Sequence, residues 1–107
     1  MTKEEFAGWW TALVAAIEPG VTAIPHWSAA KGELPGSFVI TGIDDRSVRI
    51  EGPDHDLYQR IIWHTDFRYV LANWKDYIEG RLLRKVITSQ TKHSTYVISI
   101  IRWLETK

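Results

Sequence analysis

The spacing of apolar residues changes twice along this chain, from helical to alternating and back to helical, and that order restricts the possible folds more than any other feature. Phe6, Trp9 or Trp10, Leu13, Val14 and Ile17 recur at helical spacing behind Thr2-Lys3-Glu4-Glu5, whose threonine and second glutamate have the form of a capping box. Pro19-Gly20 stops the run, so the spacing predicts a helix over about residues 3–18. Ser47-Val48-Arg49-Ile50-Glu51 then alternates strictly between apolar and polar residues. With Ser37-Phe38-Val39-Ile40-Thr41-Gly42-Ile43 and a turn at Asp44-Asp45-Arg46 it reads as a β-hairpin. Gly52-Pro53-Asp54-His55 makes a second turn, and Leu57 to Trp63 supplies a third antiparallel strand. Val21-Thr22-Ala23-Ile24 is a candidate short edge strand.

Helical spacing returns at Thr65, a candidate N-cap for a helix to about Glu79 with Asp66 near its positive end and Gly80 as its stop. Its apolar face is Phe67, Val70, Leu71, Trp74 and Ile78. Arg81 to Ile87 forms a short helix, and the polar link Thr88 to His93 leads to a last helix capped near Ser94, with Val97, Ile100, Ile101 and Leu104 as its buried stripe. Residues 25–37, with two prolines and two glycines, show no sustained period and read as a long loop. Loops above about 12 residues are uncommon in compact domains and are often functional or disordered. The order α-β-β-β-α-α-α, with strands and helices segregated, predicts one α+β domain over residues 1–107.

Six tryptophans stand in these 107 residues. Each buries roughly 150–250 Å² and wants a partner for its indole N–H, so an indole serves as core filler or as a flat recognition surface. Trp74 lies on a core stripe, Trp63 ends a strand, and one of Trp9 and Trp10 points inward. Trp27, Trp103 and the other member of that pair are the indoles that periodicity leaves outside.

Net charge is zero but divided. Residues 1–59 hold four basic and nine acidic side chains, and residues 60–107 hold nine basic and four acidic ones. The neutral total argues against a strongly basic nucleic-acid binder, while the C-terminal third forms a locally cationic surface. There is no cysteine, which excludes disulfides, thiolate metal sites and a cysteine nucleophile. No window approaches the roughly 18 apolar residues of a membrane span, and the N-terminus lacks a basic, then apolar, leader pattern. A cytoplasmic protein without membrane contact is expected.

The four histidines form no i, i+4 pair, and Asp54-His55-Asp56, the only tight cluster, reads as a solvated turn rather than a metal site. Ser28, Ser37, Ser94, His64 and Asp66 are available for nucleophilic chemistry, but no G-x-S-x-G elbow and no phosphate loop accompanies them. No cofactor is implied, and a binding module is favoured over an enzyme. Two surfaces are candidates. Arg81, Arg84, Lys85, Lys92, His93 and Arg102, with neighbouring Ser and Thr hydroxyls, resemble an inventory for contacting DNA or RNA phosphates; the competing reading is a solvated basic face. His26, Trp27 and Lys31 form a candidate site in the loop for a small-ligand binder or a small enzyme, against the alternative that Trp27 plugs the core beneath it. Tyr58, Tyr69 and Tyr77 with exposed Trp offer a protein-partner or homo-oligomer interface.

The strings Pro25-His26-Trp27-Ser28-Ala29-Ala30-Lys31-Gly32, Gly36-Ser37-Phe38, Trp74-Lys75-Asp76-Tyr77-Ile78-Glu79-Gly80 and Ser94-Thr95-Tyr96-Val97-Ile98-Ser99-Ile100-Ile101 resemble a pattern in small uncharacterised bacterial proteins, some carried on mobile gene cassettes. That group brings no established activity, so no catalytic residue is carried over. The resemblance implies an accessory role in DNA-related or defence systems.

Overall fold

The computed structural model describes residues 1–51 and 60–107. Helix α1 (Lys3–Ala16) precedes strands β1 (Ala23–Ser28), β2 (Gly32–Ile43), β3 (Ser47–Glu51) and β4 (Arg60–Trp63). Helices α2 (His64–Ala72), α3 (Trp74–Ile78), α4 (Arg84–Gln90) and α5 (Ser94–Glu105) follow. The class is α+β, with an antiparallel sheet in the order β1-β2-β3-β4.

Helix α1 follows its sequence signals closely. The Thr2 hydroxyl accepts from the Glu5 N–H at 3.1 Å, and the Glu5 carboxylate accepts from the Thr2 N–H at 3.2 Å. The β2–β3 turn is held by Asp44, whose carboxylate accepts from the Arg46 and Ser47 amides and sits below the usual carboxylate pKa for that reason.

The sheet has four strands rather than the expected three, because residues 25–37 form the β1–β2 hairpin instead of a loop. Pro25 and His26 hide the alternation: proline is tolerated on this edge strand, and the ladder register shifts between Pro25 and Trp27. The helix expected from Thr65 to Glu79 is two helices, broken at Asn73, whose side-chain amide donates to the Tyr69 carbonyl at 2.9 Å. Its N-cap is Trp63, two residues before the expected Thr65, and the His64 amide is satisfied from outside the helix by the Arg46 carbonyl at 2.7 Å. Ser94 is not a cap either. It is buried, and its hydroxyl shares a 3.2 Å hydrogen bond with Thr88. The Gly52–His55 turn, the Asp54-His55-Asp56 cluster, Tyr58 and the start of the expected third strand lie outside the described residues.

Ile24, Phe38, Ile40, Val48, Ile50 and Ile62 cover one sheet face and join Leu13, Phe67, Val70 and Ile98 in a single apolar cluster. Complete burial of such side chains stabilises the fold by roughly 1.5–3 kcal/mol each. The opposite face carries Arg49 across from Ile61 and Ser47 across from Trp63. A bulge between Ile40 and Gly42 sets Gly42 opposite Arg49, where the missing side chain gives the guanidinium room to lie over the backbone and reach Asp44 at 3.4 Å.

The indoles sort differently from their sequence placement. Trp10 is the inward member of its pair, buried with its N–H donated to the Asp44 carbonyl at 2.8 Å, while Trp9 lies half-buried on Phe6 and Phe67. Trp27, Trp74 and Trp103 are also half-buried against the core. The exposed indole is Trp63, at 55%, because its position on β4 turns it to the uncovered sheet face.

Candidate functional site

Strand β1 is a sheet edge, and its outward amides would be bare without help from the helices. The Trp27 N–H donates to the Ser99 hydroxyl at 3.0 Å, and the Ala29 N–H donates to the Tyr77 hydroxyl at 3.1 Å. Ser99 in turn donates to the Thr95 carbonyl at 2.8 Å. Helix α5 is thereby held beside β1, and a slot of about 330 Å³ opens between them.

One wall comes from the hairpin, where Trp27 and Glu33 are ladder partners. The other comes from Ser99, Arg102, Trp103 and Thr106, which share one stripe of α5 and its end at i, i+3, i+4 and i+7 spacing. Both indoles carry a cation: the Arg102 guanidinium lies 4.9 Å from the Trp27 ring centre and the Lys107 ammonium 4.5 Å from that of Trp103. Stacking leaves the in-plane N–H edge of a guanidinium available to an oxyanion. Trp27 is backed by Trp74 at 6.0 Å, and the Trp74 N–H is taken by Glu105 at 3.0 Å.

The two residue sets expected from the sequence are redistributed. His26, Trp27 and Lys31 do not converge. His26 packs on Phe38 and Tyr96, Trp27 faces the slot, and Lys31 is exposed beside a different cavity. Burial lowers the His26 pKa, and its Nδ1 is buried without a hydrogen-bond partner. The bulge next to His26 sends consecutive side chains to separate surroundings.

The basic set also divides. Arg81 is engaged by Asp76 at 3.0 Å and by Glu79. Arg84 donates from Nη2 to Thr95 at 3.0 Å, while its Nε is buried and unpartnered. His93 is half-buried with its Nδ1 unpartnered; desolvation lowers its pKa, opposed by Asp66 and reinforced by Arg60 and Lys92. Lys85 and Lys92 are exposed. Arg102 is eight residues beyond Ser94, about 12 Å along α5, and belongs to the slot. The structure therefore joins one residue from each expected set, Trp27 and Arg102. Ser99, Glu33 and Thr106 were missed. The polar stripe Ser99, Arg102, Thr106 beside the apolar stripe of the last helix is the signal that exposes two of them.

Among the described residues, no group of three or more His, Cys, Asp or Glu side chains is placed to hold a metal ion. No helix among them is long and apolar enough to cross a membrane. No family model, curated protein or solved structure matches this chain.

Proposed function

We propose that this chain is a non-enzymatic binding module for single-stranded nucleic acid, with a base entering the slot between Trp27 and Trp103 and phosphate meeting Arg102 and Lys107. The observation that carries this reading is the Arg102 guanidinium laid on the Trp27 indole at 4.9 Å in the lining of a slot of about 330 Å³, with Lys107 on the Trp103 indole of the same lining at 4.5 Å. At about 30 Å³ per small-molecule heavy atom, scaled from water, that volume holds roughly eleven atoms, the size of one base. A single base fits only when unstacked from its neighbours, which favours single strands. Glu33 supplies an acceptor for an exocyclic amine, and the exposed Lys85 and Lys92 at the other end of α5 are available to more distant phosphates.

The test is titration with labelled short oligonucleotides, read by anisotropy and by quenching of tryptophan fluorescence. Binding at low salt that weakens as salt rises is expected. Trp27→Ala removes a wall of the slot and the platform under Arg102, a loss of about 1–2 kcal/mol that lowers affinity roughly 5- to 30-fold. Arg81→Ala leaves affinity unchanged within about twofold, since that guanidinium is already paired. No anisotropy change at low salt with any oligonucleotide overturns the reading.

A second reading, self-association, rests on Ile61 and Trp63, which are 46% and 55% exposed on the edge strand β4. Light scattering that gives a monomer mass at every concentration removes it.

A further inference from the structure

On the far side of the β1–β2 turn from the slot, a second cavity of about 320 Å³ lies between that turn and the α3–α4 connection. Its walls are apolar, made by Ala29, Tyr77, Ile78, Leu82 and Leu83. Among the described residues its only charged lining groups are Lys31 and Arg84. Asp76 and Glu79, which flank this connection in sequence, are both paired with Arg81. Neither Lys31 nor Arg84 forms an ion pair among the described residues.

We infer that this cavity is a binding site for a small amphiphilic monocarboxylate, with its carboxylate between Lys31 and Arg84 and its apolar body along Ile78, Leu82 and Leu83. Three features fit that occupant, the first of them specific to an anion. The cavity joins two uncompensated cations to an apolar wall, a charge pattern complementary to an anion with a hydrocarbon tail. Arg84 is held in place by its bond to Thr95 and still has a buried Nε–H without an acceptor. Leu83 and Ile78 remain 59% and 41% exposed at the rim, apolar surface that a tail would cover. The turn at the mouth is anchored by the Ala29 N–H bonded to Tyr77 and the Lys31 N–H bonded to the Ser28 hydroxyl, at 3.1 Å each. The volume corresponds to about ten non-hydrogen atoms, the size of octanoate. This site is independent of the nucleic-acid reading, since it shares no lining residue with the slot.

The test is amide and indole NMR of the full chain titrated with octanoate, with octanol and acetate as matched controls. Octanoate is expected to shift the amides of Ala29, Lys31, Ile78 and Leu82 and to leave the Trp103 indole N–H in place. Octanol, lacking the charge, and acetate, lacking the tail, are expected to bind at least tenfold more weakly. Lys31→Gln, which alters an exposed side chain, is expected to weaken octanoate about tenfold with no change in thermal midpoint. Leu83→Asp, also at an exposed position, places a carboxylate at the rim and is expected to abolish binding. The proposal is overturned if octanoate shifts no amide of this cavity, if octanol binds as tightly, or if Lys31→Gln leaves the affinity unchanged.

Discussion

Removing one oxygen, in Ser99→Ala, tests whether helix α5 pins the edge strand that shapes the slot. Ser99 is 1% exposed, and its hydroxyl accepts from the Trp27 amide at 3.0 Å while donating to the Thr95 carbonyl at 2.8 Å. The Thr95 carbonyl keeps its helical hydrogen bond in the variant, so it loses little. The Trp27 amide lies in a part-buried setting on the outer edge of β1, and losing its acceptor costs about 1–3 kcal/mol. Alanine regains up to about 0.5 kcal/mol of helix propensity over serine. The net loss is then about 1.5 kcal/mol, which for a domain of this size lowers the thermal midpoint by roughly 6–12 °C. Circular dichroism melting measures it, with hydrogen exchange reporting faster exchange at the Trp27 amide. Ser89→Ala on exposed α4, whose hydroxyl donates to Val86, is the control and changes stability by less than about 0.5 kcal/mol. A Ser99→Ala midpoint equal to the parent's, with unchanged Trp27 exchange, would refute the pinning argument.

Other outcomes follow from the same packing. Trp10→Phe removes the donor to the Asp44 carbonyl and leaves a void, costing about 2–3 kcal/mol in urea unfolding; a loss below about 0.5 kcal/mol would mean the 2.8 Å bond contributes nothing. Gly42→Ala drives its methyl into the Arg49 guanidinium, the free end of a flexible side chain, so the cost is only about 1 kcal/mol or less, the surface pair with Asp44 included. A loss above about 3 kcal/mol would show that the backbone there cannot yield. His26 and His93 have lowered pKa values because burial disfavours the charged ring. The unfolded chain therefore takes up their protons first. Stability is full above about pH 6.5 and falls as pH drops below it, so a melting midpoint that rises between about pH 7 and 5 contradicts the assignment.

Legibility in the sequence followed how locally each element is determined. Helix α1 was readable because the capping box and Pro19-Gly20 mark both ends within the segment itself. The β2–β3 hairpin was readable because Val48 and Ile50 alternate with outward residues and Asp44 closes the turn. Strand β1 was readable only at its start, where Val21 to Ile24 marked a short edge strand; its continuation to Ser28 was not, since the Trp27 amide and the adjoining Ala29 amide are completed by Ser99 and Tyr77 from helices far along the chain. The same distance hid the site. Trp27 and Arg102 were each visible as recognition residue types, but only the packing of α5 on β1 stacks one on the other. Trp63 was misjudged for a related reason: a strand end is buried or exposed according to which face it presents, and the face was fixed by pairing with Ser47.

Strand β1 borders both cavities, and its two side-chain anchors come from different helices, so the anchors should be separable. Ser99 on α5 holds Trp27, a wall of the slot, whereas Tyr77 on α3 holds Ala29, a wall of the second cavity. Tyr77 is 5% exposed, and Tyr77→Phe keeps its ring against Trp74 while deleting the acceptor of the Ala29 amide. The expected cost is again about 1–3 kcal/mol, now without any helix-propensity return, because Tyr and Phe are near equal in helices. Amide exchange should quicken at Ala29 and Lys31 in Tyr77→Phe and at Trp27 in Ser99→Ala, each leaving the other region close to the parent. Such separation follows if the turn from Ser28 to Gly32 moves as its own small unit, hinged where the register shifts. If either variant instead loosens both regions equally, the edge strand opens as one piece. The two cavities would then be coupled through it, and their ligands would report on each other.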